Sequence, residues 1–424
     1  MLKDVALVLR GSIVAQVIGF LALPLLSRLL APEAFGDLQL FNAVLTLMLV
    51  FGTMRYEVAI LRARDGRGLA AVVRLCLVLT LVATLIFGVV MAVFWEGWLP
   101  WLPTPPFPVW LLLASFMVAS VGAILGLLVT RLRAFRTSGY AKIVQSSVNI
   151  TAAISLAAAY GGGATLIIAD AVGKLANVLF LLGWAQRHTV GLWRRVSQRD
   201  LRRMASRYRE YPQVNVAGNW FNVLGAVLSP FMMYTVFSSE LAGYFGLVDR
   251  TLALPLALIT ASVAQVYTGR FAADLRDTGK SLQADFDALV RNMALLGAGP
   301  LVVGLLTAPA LFEFVFGPEW RTAGEYAQIL GPTFFLILIS SPTNMVLTVL
   351  GHQALQMAWE MGRLAGQVAM WSAVLYFDLS PHTAVLGHSI VLGSSSLAYL
   401  LVARHMVIRS DAKRNAARGA EADL

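Results

Sequence analysis

LQLFNAVLTLMLVFGTMRYEVAIL, residues 38–61, is an apolar run long enough to cross a bilayer, yet it carries Arg55, Tyr56 and Glu57 in its second half. A run of about 20 apolar residues reads as a transmembrane helix. A charge at the centre of such a helix costs roughly 2.5–3.5 kcal/mol on insertion scales. Arg55 and Glu57 must therefore either reach an interface or line a wet path.

Runs of the same kind recur along the chain, at residues 10–31, 69–94, 109–130, 143–160, 164–185, 213–237, 245–269, 290–309, 325–350, 357–377 and 383–404. With residues 38–61 they predict about twelve transmembrane helices. The composition agrees: 58% of the 424 residues are hydrophobic and 13% charged, and the mean hydropathy is +0.72. Such a chain is too apolar for a soluble globular protein, and helices are the spanning form its run lengths suit. The expected class is an all-α polytopic membrane protein.

Basic residues mark the cytoplasmic loops of such proteins. One set of loops holds Lys3, Arg10, Arg62, Arg64, Arg67, Arg74, Arg131, Arg133, Arg136, Lys142, a cluster from Arg187 to Arg209, and Arg270, Arg276, Lys280 and Arg291, whereas the other set holds Arg321. This asymmetry predicts both termini in the cytoplasm and accounts for most of the +10 net charge without a nucleic-acid partner. MLKDVALVLR ahead of the first span lacks the pattern of a cleaved signal peptide, so an uncleaved first helix is expected. Cys76, the single cysteine, excludes an intrachain disulfide and a thiolate metal site. The largest loop, residues 186–212, alternates arginines with Leu192, Trp193, Val196, Leu201, Met204 and Tyr208 at near-helical spacing, which predicts an amphipathic helix lying in the membrane interface.

SRLLAPEAFGDLQLFNAVLTL (27–47) aligns with YTVFSSELAGYFGLVDRTLAL (234–254), matching Glu33 with Glu240, Gly36 with Gly243 and Leu47 with Leu254. Both segments join the first two spans of a six-span half. Halves with an even number of spans are parallel repeats, as in transporters whose path runs between two bundles. The expected organisation is an N-terminal six-helix lobe (1–185), a basic linker (186–212), a C-terminal six-helix lobe (213–404) and a cytoplasmic tail (405–424), with a central cavity between the lobes.

GSIVAQVIGFLALPLLSRLLAPEAFGDLQLF (11–41), followed by RYEVAI (55–60), resembles the opening of bacterial oligosaccharide flippases of the Wzx type, the polysaccharide transport branch of the multidrug/oligosaccharidyl-lipid/polysaccharide flippase superfamily. The resemblance implies a protein that moves an undecaprenyl-pyrophosphate-linked oligosaccharide across the bacterial cytoplasmic membrane. The peptidoglycan-precursor flippase of the same superfamily carries arginines on its first helix where Gln16 and Ala22 stand here, which argues against that substrate.

Buried charge and amide residues supply the candidate site. Arg55 and Glu57 are expected near the cytoplasmic end of the second span. Arg28 lies near the outer end of the first, and Asp249 and Arg250 near the outer end of the eighth. Lys174 follows Asp170 by four residues near the midplane of the sixth span, and Arg363 follows Glu360 by three in the eleventh. Pairing within each helix would neutralise these charges structurally, and a cation from each half facing one cavity would bind an anion. Arg55, Lys174, Arg363, Arg28 and Arg250 are the candidate pyrophosphate ligands. Asn149, Asn215, Asn219, Asn222 and Asn344 are the candidate glycan ligands, and helix-to-helix hydrogen bonding is the competing explanation for them. Glu57, Asp170, Asp249 and Glu360 are candidates for coupling H+ or Na+. A polysaccharide polymerase is the expected protein partner, and no cofactor or metal is expected.

Other signals carry less. DTGKS (277–281) imitates a phosphate loop, but Asp274 stands where its first glycine belongs. His382 and His388 have no ligand-like neighbours in sequence, and no nucleophile constellation stands out. A multidrug cation exporter of the same superfamily is the alternative function, and a membrane scaffold or glycan polymerase a further one.

Overall fold

The structure, a computed structural model, describes residues 2–63, 66–94, 105–189, 196–275 and 281–422, and all regular elements among them are helical. In chain order they are α1 (Leu2–Leu29), α2 (Pro32–Gly52), α3 (Arg67–Phe94), α4 (Val109–Arg131), α5 (Phe135–Tyr160), α6 (Ala164–Thr189), α7 (Gln198–Arg207), α8 (Val216–Met232), α9 (Ser239–Asp274), α10 (Leu282–Phe316), α11 (Arg321–Ser340), α12 (Val346–Val349), α13 (Gln353–Tyr376) and α14 (Pro381–Ala422). The side chain of Asn215 and residues 277–280 of the DTGKS stretch lie outside the described residues. The chain divides into two compact units, Met1–Gly246 and Leu247–Leu424.

Among the described residues, eleven helical segments are long and apolar enough to cross a membrane. The twelfth expected span coincides with α13, whose 24 residues suffice to cross. Gln353, Gln356, Glu360, Arg363 and Gln367 make it less apolar than the others.

The run at residues 38–61 is corrected by the structure. Its helix ends at Gly52, and Met54 (φ 50°) and Arg55 (φ 64°) adopt left-handed backbone before a 3-10 turn over Tyr56–Leu61. Such φ values in non-glycine residues cost of order 1–3 kcal/mol and persist only where surrounding bonds hold them. Here the Thr53 hydroxyl donates to Glu57, and Tyr56 donates its phenol hydrogen to the Ala205 carbonyl at 3.0 Å. Arg131 Nη2 reaches the Ala63 carbonyl at 3.1 Å. Arg55 and Glu57 are thus not mid-helix charges. They sit on a fastened corner beyond the end of the span.

The other end of the Tyr56 bond is α7. Ser197 caps this helix: its hydroxyl accepts from Asp200 N, while its own N–H donates to the Asp200 carboxylate at 2.9 Å. That backbone hydrogen bond holds the Asp200 carboxyl below the usual carboxylate range. Arg199, Arg202, Arg203 and Arg207 are exposed. Leu201, Met204, Ala205 and Tyr208 pack against the core formed by the 3-10 turn, α3 and α4. The helix is amphipathic and basic, and its apolar face packs on this core.

Small residues set the closest helix contacts of the first unit, as is usual where helices pack in lipid without a hydrophobic drive. A Cβ added to Gly11 would stand 2.4 Å from the Gly139 Cα, bringing α1 and α5 backbone to backbone. The repeat-matched glycines do more. A Cβ on Gly36 would meet the Ser239 carbonyl oxygen at 1.8 Å, and one on Gly243 the Pro32 carbonyl oxygen at 1.9 Å. Pro32 and Ser239 are themselves equivalent in the repeat, so α2 and the first turns of α9 touch reciprocally.

In the second unit, α14 packs on α10, α11 and α13. Thr333 on α11 bonds the Ser389 carbonyl on α14 at 2.7 Å. Tyr399 donates to the Thr343 carbonyl at 2.9 Å, fixing the 3-10 break Ser341–Thr343 that interrupts the span expected at residues 325–350.

Candidate functional site

Lys174 lies ten residues into α6, about 15 Å along the helix. Its ammonium stands 2.5 Å from the Asp170 carboxylate and 3.3 Å from Asn42 Oδ1 on α2, with the Phe41 ring centroid at 5.9 Å. The pair is largely shielded, with side-chain exposures of 18% and 17%. Lys174 also lines an open cavity of about 280 Å³ between α4, α5 and α6, where Lys142, Gln145 and Asn177 join it and Gly122 and Gly126 leave the room. Lys142 donates to Ser12 Oγ at 2.8 Å. Two ammonium groups, the exposed Lys142 and the Lys174 paired with Asp170, line one cavity with two amides, an arrangement that can hold a phosphate or another oxyanion.

The sequence reading missed Lys142, Asn177 and Asn42. Lys142 was counted with the loops, whereas α5 begins at Phe135, so Lys142 and Gln145 share a helix face one turn apart. Asp37 was also missed. It is buried, accepts from the Tyr234 hydroxyl at 2.9 Å, and its second oxygen would lie 2.4 Å from a Cβ on Gly163. An acid inside an apolar helix, directly after the repeat glycine Gly36, was the available signal.

The other expected residues fall into separate places. Arg55 and Glu57 approach to 3.7 Å on the corner after α2, with Arg55 about one-third exposed. Arg28 is exposed in the last turn of α1. Asp249 and Arg250 are half-buried. Because α9 begins at Ser239, they lie about 15 Å along it rather than at its end. Glu360 takes its hydrogen bond from Gln356 Nε2 at 3.2 Å rather than from Arg363, whose guanidinium lies 5.3 Å from the Trp359 ring centroid. The expected pairing inside α13 is therefore not formed. Asn149 stands against Gly173 at the α5–α6 contact. Asn219 is half-buried and Asn222 exposed on α8, and Asn344 is exposed at the break after α11.

Residues 25–325, well over half of the chain, match the family described as "Polysaccharide biosynthesis protein". The Teichuronic acid biosynthesis protein TuaB of Bacillus subtilis (strain 168) is 24% identical over 166 residues, 39% of this chain and 34% of that relative, so the match spans about a third of the relative's length. Among solved structures, the fold is similar to the lipid II flippase MurJ in an inward closed conformation (TM-score 0.73, 12% identity, 96% of this chain and 90% of that one). It is also similar to a multidrug resistance MATE family transporter of the MOP superfamily in an inward-facing conformation (TM-score 0.66, 16% identity, 94% and 98%). The long apolar helices, the repeat and these matches agree: the chain is a multi-pass membrane protein of the polysaccharide biosynthesis protein family, with a fold like those of MurJ and the MATE transporter.

Proposed function

We propose that the protein carries an undecaprenyl-pyrophosphate-linked oligosaccharide from the cytoplasmic to the periplasmic leaflet of the bacterial inner membrane, by alternating access between lobes 1–185 and 213–404. The observation that carries this reading is the cavity lined by Lys142, Gln145, Lys174 and Asn177, with Lys174 shielded inside α6, where an unmatched ammonium is costly. The Lys142 ammonium, together with the Lys174 ammonium once it leaves Asp170, matches the charge of a pyrophosphate. Arg55, on its fastened corner, receives the pyrophosphate first, and Lys174 then turns from Asp170 to the phosphate oxygens. Asp170, left without its cation, is the candidate for coupling H+ or Na+ in the same step. The polyprenyl tail stays in lipid. Cells lacking the protein are expected to accumulate the completed lipid-linked unit on the cytoplasmic leaflet, and unchanged levels of that intermediate would sink the proposal.

The arginine face of α7 and the basic loops support cytoplasmic termini. An alkaline phosphatase fusion after Arg203 is expected to be inactive and one near Pro103 active. The reverse pattern would invert this topology.

A further inference from the structure

We infer that the buried face of α13 is a binding site for the sugar hydroxyls of the cargo, with Gln356, Arg363 and Gln367 as its ligands, and that Arg363 serves the glycan rather than the pyrophosphate. This rests on the flippase reading above.

The first turns of α13 direct a polar stripe toward the protein, whereas Trp371 and Val374 continue the same face with apolar side chains. Met357, Met361 and Val368 point outward and are 57%, 49% and 47% exposed, whereas Gln367 is 1% exposed. Gln356, Glu360, Arg363 and Gln367 fall at i, i+4, i+7 and i+11, a single stripe on that buried side. Polar residues at membrane depth face a protein interior or a wet path, and usually find partners there. Three on this stripe have none among the described residues: Gln356 Oε1, Arg363 Nε and Gln367 Oε1 are shut off from solvent without a hydrogen bond.

The orientations are held from behind. Gln356 donates one amide hydrogen to Glu360, and the carbonyl oxygen of the same amide is unmatched. Trp359 donates its indole hydrogen to the Ser395 carbonyl on α14 at 3.0 Å and packs on Tyr399, with ring centroids 4.8 Å apart. The Arg363 guanidinium rests over that fixed ring.

Donor and acceptor counts then choose the ligand. Arg363 Nε–H requires an acceptor, and the two glutamine carbonyls require donors. A phosphate offers only acceptors and would leave both carbonyls unmatched. A sugar hydroxyl both donates and accepts, so successive hydroxyls along the stripe satisfy all three atoms.

The test uses full-length protein in nanodiscs and two probes, undecaprenyl pyrophosphate and the same lipid bearing a neutral trisaccharide. Gln367→Met and Gln356→Met are each expected to weaken binding of the glycan-bearing probe roughly threefold to tenfold, the worth of about one hydrogen bond, and to leave the sugar-free probe unchanged. Arg363→Gln removes the Nε–H donor and is expected to weaken binding of the glycan-bearing probe by the same roughly threefold to tenfold while leaving the sugar-free probe unchanged. Thermal unfolding confirms that each variant folds, and the half-buried Gln356 provides the test if Gln367→Met does not. Loss of sugar-free binding on Arg363→Gln would return this residue to the pyrophosphate and overturn the inference. Glutamine variants that bind both probes like wild type would show a packing face only. Wild-type protein that binds neither probe would overturn the flippase reading itself.

Discussion

Alanine at Gly36 is expected to destabilise the protein by about 1–3 kcal/mol, the usual range for forcing a methyl into a packed contact, and to reduce glycan export with it. The added carbon would fall 1.8 Å from the Ser239 carbonyl oxygen and 2.7 Å from its carbon, both backbone atoms that cannot rotate away. The helices would have to separate by more than 1 Å, on the order of the gap to an ordinary contact. Gly243→Ala is expected to do the same through Pro32. Because the two contacts are one interface seen from both sides, the double variant is expected to lose much less than the sum of the singles: once the first methyl has parted the helices, the second finds room. Thermal unfolding in detergent, with export measured in cells, reads both effects. Single variants as stable as wild type, or strictly additive losses, would contradict the reciprocal contact.

Lys174→Ala is expected to abolish export and to lower the amount of folded protein. Removing one partner of a buried pair strands the other, at a cost of about 3–5 kcal/mol where burial is deep. The stranded group here is Asp170, 17% exposed and 2.5 Å from the lost ammonium. Asp170→Asn combined with Lys174→Gln removes both charges and is expected to restore protein level without export, since the neutral amides no longer attract pyrophosphate. Measuring membrane abundance and surface glycan side by side separates the two effects. Normal export by the double variant would make the pair structural and remove Lys174 from the substrate path.

What could be read from the sequence, and what could not, follows from the range of the interactions involved. Spans are local: apolar runs of fixed length placed eleven of the twelve expected spans with approximate bounds, and the twelfth, α13, is less apolar because of its polar stripe. The end of α2 was misplaced because Tyr56–Leu61 is as apolar as the helix before it, and the corner at Met54 and Arg55 is held by Ala205, distant in sequence. The Asp170–Lys174 pair was legible as an i, i+4 spacing on one helix. Its third member, Asn42, lies on α2 and could not be. Glu360 and Arg363 have a suitable spacing but part company, because Gln356 and Trp359 on the same helix compete for them. The glycine match at Gly36 and Gly243 was visible as a repeat, whereas their mutual contact is a property of the fold.

The central claim, movement of a lipid-linked glycan, is tested most directly by reconstituting the purified protein into liposomes with a fluorescent undecaprenyl-pyrophosphate-linked oligosaccharide and following its passage between leaflets. The account predicts transfer above that of empty vesicles, lost in the Asp170→Asn, Lys174→Gln double variant, with no transport of a cationic dye under the same conditions. Vesicles that move the dye while the lipid-linked glycan stays in its original leaflet would contradict it.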